Sequence, residues 1–141
     1  WSRGLGDVYK RQVIARSDEQ LIDEVCKNYF HVTERDGKVI ACCALKPCGN
    51  APDAHEVAAF AVSPEYRRGG RGDALLEYAE NYACETLATS RLFLLTTRTA
   101  DWFVQRGFEN KGLAENNPEL PPGKSVQSGR GSVLFVKYLD R

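Results

Sequence analysis

The stretch that most constrains this chain is an apolar strand that runs into a glycine- and arginine-rich turn and then into an amphipathic helix. Residues 55–62 (HEVAAFAV) read as a buried strand, stopped by Ser63-Pro64. The turn Arg67-Arg-Gly-Gly-Arg-Gly72 follows. Beyond it, Leu75, Leu76, Ala79, Tyr82, Ala83 and Leu87 fall on one helical face, with Glu77, Glu80 and Asn81 on the other. The first turn of a helix carries N–H groups with no helical acceptor and the positive end of the dipole, so a phosphate suits this place. Gly69, Gly70 and Gly72 let the backbone come close to such an anion, and Arg67, Arg68 and Arg71 add charge. No Gly-Lys-Ser/Thr follows, and the glycines lack the G-x-G-x-x-G spacing, so neither the P-loop nor the dinucleotide pattern is met.

The rest of the chain alternates in the same α/β manner. Ser17 and Gln20 form a capping box for a helix over 18–27. A strand from Tyr29 to Arg35 turns at Asp36-Gly37, a type I′ hairpin signal, into a return strand over 38–45. Residues 47–52 read as a loop, 92–96 as a strand, 99–106 as a short helix closed by Gly107, 112–126 as a loop and 133–139 as a last strand. This order predicts an α/β fold with a mixed central sheet flanked by helices. At 141 residues it is one domain. Residues 1–12 have no usable period and resemble a translated sequencing adapter, so they are expected to be a non-native leader before a domain over 13–141. They have no apolar core of a signal peptide, and the chain contains no methionine.

Composition removes several partners. Lys plus Arg (19) balances Asp plus Glu (19), so no nucleic-acid or membrane partner is expected from bulk charge. No apolar run is long enough to span a bilayer. The 5 cysteines show no C-x-x-C spacing and there are 2 histidines, so no metal is expected. The cysteines read as small buried thiols of a reducing, cytoplasmic compartment. His55 is expected at the surface.

The spacing Arg67-x-x-Gly70-x-Gly72 resembles the R/Q-x-x-G-x-G/A pyrophosphate motif of the GCN5-related N-acetyltransferases (GNAT). Residues 91–108 (RLFLLTTRTADWFVQRGF) resemble more narrowly the acetyltransferase domain of the N-acetylglutamate synthase family, of bacterial and plant type. Residues 40–47 (IACCALKP), 56–67 (EVAAFAVSPEYR) and 129–135 (GRGSVLF) agree, and the resemblance covers 14–139. It implies a GNAT acyl-CoA fold lacking its first strand and first helix. It also implies an upstream amino-acid-kinase-like domain, a homo-oligomeric full-length enzyme, and a plastid address if the source is a plant or alga. The implied reaction moves acetyl from acetyl-CoA to the α-amine of L-glutamate, the first step of arginine biosynthesis.

The same resemblance suggests roles residue by residue. Phe60, Ala61, Val62, Arg67, Arg68, Gly69, Gly70, Arg71, Gly72 and Asp73 would hold acetyl-CoA, with the N–H near Val62 facing the thioester oxygen. Glu56, a carboxylate opening an apolar strand, would take the ammonium proton, through water. The tyrosine that many relatives use as acid falls on Phe103, which has no proton to give, so Thr97, Thr99 or a water would substitute. Trp102, Phe103 and Phe108 would serve as core or cofactor wall. Arg16, Arg98, and the pair Arg130 and Ser132 match substrate-binding positions, and guanidinium groups suit the two carboxylates of glutamate. Lys46 is a lesser candidate. Two other readings stay open: acetylation of another small amine or a peptide, and an acyl-CoA-binding module without turnover.

Overall fold

The computed structural model describes residues 29–140. The expected helix over 18–27, the 1–12 leader, Arg16 and Cys26 lie outside the described residues. Strands β1 (Phe30–Arg35) and β2 (Lys38–Cys48) form the expected antiparallel hairpin, with Val32 opposite Cys42. Asp36 and Gly37 both have positive φ, 52° and 77°, as a type I′ turn requires. Then come β3 (Ala51–Val62), a 3-10 turn (Pro64–Tyr66), α1 (Arg71–Glu85), β4 (Arg91–Thr96), α2 (Asp101–Val104), β5 (Glu109–Leu113) and β6 (Val133–Tyr138). The strands make one mixed sheet of six, in the order β1-β2-β3-β4-β6-β5.

Two expectations are corrected. The loop expected over 47–52 shrinks to Gly49 and Asn50, because β2 and β3 extend through Pro47 and Pro52, both exposed. A proline breaks a strand only where the ladder needs its missing N–H. Strand β5 was not expected at all. It is a polar strand at the sheet's edge, paired to β6, and Asn110 Oδ1 accepts from Gly112 N at 2.8 Å where the register slips.

The described residues divide into two compact units, one including Val57–Tyr82 and the chain before Pro47, the other Pro47–Glu56 and the chain from Ala83 on. The core of the first contains Cys42, Ala44, Ala58, Ala59 and Ala61, with Tyr29, Phe30 and Val39 against it. Ala58 and Ala59 are neighbours yet share that cluster, because Ala59 adopts φ 60° and breaks the strand's alternation. Burial pushes the thiols of Cys42 and Cys43 up to about 12, so they stay protonated and inert.

In the second unit β3 pairs in parallel with β4 (Glu56 opposite Phe93), and β4 pairs antiparallel with β6 (Phe93 opposite Val136, Thr96 opposite Val133). One sheet face carries Ala54, Phe93, Leu134 and Val136, with Cys48, Ala51 and Ala114, covered by Leu120 and Val126 from the long loop before β6. Helix α2 is shorter than expected but ends as expected at Gly107 (φ 100°): Phe108 N donates to Phe103 O and Gly107 N to Val104 O, both at 3.1 Å. That is a Schellman closure, and the rings of Phe103 and Phe108 meet edge-on at 5.4 Å, the apolar contact that accompanies it.

The end of α1 closes through a wider turn, with Ala88 at φ 54° and Thr89 N donating to Ala83 O, six residues back, at 2.8 Å. This turn presents the buried Thr89 hydroxyl to His55 Nδ1 at 2.7 Å. His55 is therefore a core residue at 7% exposure, where the surface was expected. A local reading saw only its place at a strand's start; its partner is 34 residues away. Burial lowers the His55 pKa below the ordinary 6.5. His31, packed on Tyr82 at 4.4 Å, moves the same way for the same reason. Unfolded chains thus take up these protons first, so stability present above pH 6.5 is lost as the pH falls through the lower folded values. Thermal unfolding between about pH 7.5 and about pH 5 should show Tm falling with pH, and His55→Gln should flatten that slope without abolishing it. A slope unchanged in the variant would contradict the burial.

The β2–β3 turn is seated by a backbone contact. A Cβ on Gly123 would stand 3.0 Å from Gly49 Cα, and Gly123 itself has φ 91°. Gly123→Ala should cost about 2 kcal/mol of stability, read as a lower denaturation midpoint at unchanged m-value.

Candidate active site

Strand β3 delivers the chain to the turn that the sequence singled out. Ser63 N donates to Ile40 O at 2.7 Å, the 3-10 turn reverses the chain, and α1 starts at Arg71. Ala74 N makes a helical bond to Gly70 O at 3.0 Å, so the N–H groups of Arg71 and Gly72 lie ahead of the ladder. Gly70 has φ 74°, and no described residue lies within 4 Å of where its Cβ would be, while the Arg71 guanidinium lies against Gly69. Two of the expected arginines brace this turn as well as charging it: Arg67 Nε donates to Val62 O at 3.3 Å, and Arg71 donates to Gly69 O at 3.5 Å while lying 5.1 Å over the Tyr66 ring. Arg68 and Asp73 are exposed, while Phe60 and Ala61 are buried.

Apart from Lys46, the remaining expected residues that the structure describes lie in the second unit. Because Thr96 pairs with Val133, residues 97–98 after β4 and 130–132 before β6 stand at the same end of the sheet. Thr97, Arg98, Thr99 and Arg130 are exposed there, while Ser132 is buried. Thr96 Oγ1 accepts from Arg98 N at 3.0 Å and so shapes the turn that carries this arginine. Arg130 sits on a loop tied at its root by Ala114 N to Ser132 O (2.8 Å). Higher up, Glu115 accepts from Ser128 Oγ at 2.7 Å and Gly129 N at 3.2 Å. Those two hydrogen bonds, the Ser128 hydroxyl first, hold the Glu115 pKa below the usual carboxylate range. Phe103 packs edge-on against Trp102 at 5.0 Å, and its ring has no proton to give. Lys46 is half-buried on β2.

Glu56 shares its sheet face with Ala54 and stands opposite Phe93, on the apolar side. Its Oε1 accepts from Lys124 Nζ at 2.7 Å, with the two side chains 14% and 27% exposed. Alternation along β3 sends His55 to the other face, as expected. Beside this pair lies Cys48, whose thiol is pushed up by burial; Lys124 opposes that shift, Glu56 adds to it, and Arg91 opposes it. Lys124 and Glu115 escaped sequence reading. Both sit in a polar, proline-rich loop, and the partners of each are distant in the chain. Ala59 also escaped it, the only hint being the run of small residues that a kinked strand can hold.

Among the described residues no group of three or more His, Cys, Asp and Glu could hold a metal ion, and no helix is long and apolar enough to cross a membrane. The model of the Acetyltransferase (GNAT) family matches residues 5–108. The chain is 50% identical over 129 residues to an amino-acid acetyltransferase of Azotobacter vinelandii and 52% identical to one of Pseudomonas syringae pv. syringae. Each match covers 90% of this chain but 28% of the relative, so the chain spans little more than a quarter of their length. Among solved structures it is similar to N-acetylglutamate synthase from Neisseria gonorrhoeae complexed with coenzyme A and N-acetyl-glutamate. That match has 32% identity and TM-score 0.80, over 97% of this chain and 32% of that one. An acetyltransferase from Streptococcus agalactiae shares the fold at 20% identity and TM-score 0.69, over 97% of this chain and 90% of that one. The anion turn, the mixed six-stranded sheet and these matches together place the chain in the GNAT family of acetyltransferases.

Proposed function

We propose that this chain transfers the acetyl group of acetyl-CoA to the α-amine of L-glutamate, giving N-acetyl-L-glutamate and coenzyme A. The observation that carries the reading is on β3, which places the Glu56 carboxylate on an apolar face and leads into the glycine- and arginine-rich turn before α1. The relatives' names and the ligands of the Neisseria synthase support the choice of glutamate.

In this reading the pyrophosphate of acetyl-CoA lies on residues 67–73, held by N–H groups, the helix dipole and arginine charge. The strand ending at Val62 supplies an N–H to the thioester oxygen, a fixed dipole aimed where charge develops. Glu56 takes a proton from the substrate ammonium, directly or through water. The freed amine nitrogen attacks the thioester carbon, the C–S bond breaks, and the thiolate takes up, through the Thr97 hydroxyl or a water, the proton that the nitrogen sheds as the amide forms. Arg98, Arg130 and Ser132 hold the carboxylates of glutamate, and Arg16 joins them on sequence grounds alone. The reaction belongs in the cytoplasm, where acetyl-CoA and reduced thiols coexist.

Mass-spectrometric detection of N-acetylglutamate from acetyl-CoA and glutamate, beside a panel of other amines, tests this. Product should form with glutamate. Glu56→Gln should lower kcat by about 100-fold or more, and Arg130→Ala should raise KM for glutamate by about tenfold. Acetylation of other amines instead would overturn the substrate. Coenzyme A binding without turnover of any amine would overturn the enzyme.

A further inference from the structure

The loop that covers the apolar face of the second unit brings one cation to Glu56, and three features fix where that cation starts. Lys124 N closes a turn onto Pro121 O at 3.2 Å. Gly123 meets Gly49 backbone to backbone, with a Cβ on either standing 3.0 Å from the other's Cα. The Cys48 thiol donates to Pro122 O at 3.6 Å. On either side of this turn, Leu120 and Val126 pack into the cluster of Phe93, Leu134 and Val136. Lys124 thus projects from an anchored backbone onto a carboxylate that is mostly shielded from water, and the resulting N–H···O contact is short at 2.7 Å.

The pair is one-sided. Lys124 engages Oε1, and among the described residues no other hydrogen bond or ion pair reaches the carboxylate. A glutamate side chain has three rotors, and a carboxylate with no partner on an apolar face would swing toward solvent. With Oε1 held, the carboxylate is fixed in one orientation, and Oε2 takes no hydrogen bond from the described residues.

We propose that Lys124 is a positioning residue for the base: it locks the Glu56 carboxylate through Oε1 so that Oε2 receives the proton of the substrate ammonium. The inference rests on the reading of Glu56 as base given above, and it assigns Lys124 no contact with substrate.

Four proteins decide it: the chain itself, Glu56→Gln, Lys124→Met and the double variant, with Lys124→Arg as rescue. For glutamate acetylation, Lys124→Met should lower kcat about 10- to 100-fold with KM for glutamate nearly unchanged, and Lys124→Arg should restore most of the loss. In the Glu56→Gln background, Lys124→Met should cost nothing further, because the group it positions is gone. Equal losses in both backgrounds would mean that Lys124 acts on its own and would overturn the proposal. A change confined to KM would make it a substrate ligand and overturn it too, and wild-type turnover by Glu56→Gln would remove its premise. If the chain acetylates no glutamate, the activity reading fails separately, and unfolding midpoints of the same four proteins judge the contact. Non-additive shifts support the positioning contact, and additive shifts overturn it.

Discussion

A carboxylate placed on an apolar sheet face imposes a condition on everything around it, because leaving it there without a counter-charge costs several kcal/mol. Glu56 lies beside Ala54 and opposite Phe93, and the counter-charge comes from Lys124, 68 residues further along the chain. Between the two lie α1 with its capped end, β4, α2, β5 and the start of the long loop. The contact of Gly49 with Gly123 shows how tightly that loop is seated, since neither turn leaves room for a side chain.

The first unit meets a different constraint. Its cluster of Cys42, Ala44, Ala58, Ala59 and Ala61 is made of small side chains, which lets β2 and β3 pass under the aromatic rings of Tyr29 and Phe30. Smallness also tolerates the kink. An L-residue at φ 60° costs about 1 kcal/mol or more, and alanine bears that with the least steric conflict after glycine. A kink in a strand re-aims the backbone groups beyond it. Here those groups belong to Phe60, Ala61 and Val62, next to the anion turn.

The parts that were legible in the sequence are those whose cause is local. The hairpin at Asp36-Gly37, the stop at Ser63-Pro64, the glycine-started α1 and the closure at Gly107 each follow from the backbone preferences of a few consecutive residues. So does the anion turn, whose chemistry is that of adjacent N–H groups. The parts that were not legible depend on partners far along the chain. Strand β5 is a strand because β6 lies beside it, since its own residues are polar and include a glycine at φ 87°. Prolines 47 and 52 read as loop formers until their neighbours showed that the ladder did not need them. His55 looks like a surface residue until Thr89 arrives from the end of α1.

The same distinction separates the two halves of the chemistry. The proposed anion turn is contiguous over 67–73, so the binding proposed for it needs only that local geometry. The proposed acceptor residues lie within the second unit, in the middle of β3, after the end of β4, before the start of β6 and on a loop held by side-chain contacts such as Glu115 with Ser128. Loops of this kind tolerate change more readily than strands do. Under the proposed function, a change in these loops acts on the choice of amine before it acts on the binding of the acyl donor. That asymmetry follows from physics alone: backbone groups at a helix start need little from side chains, whereas two arginines and a glutamate must each be aimed by something else.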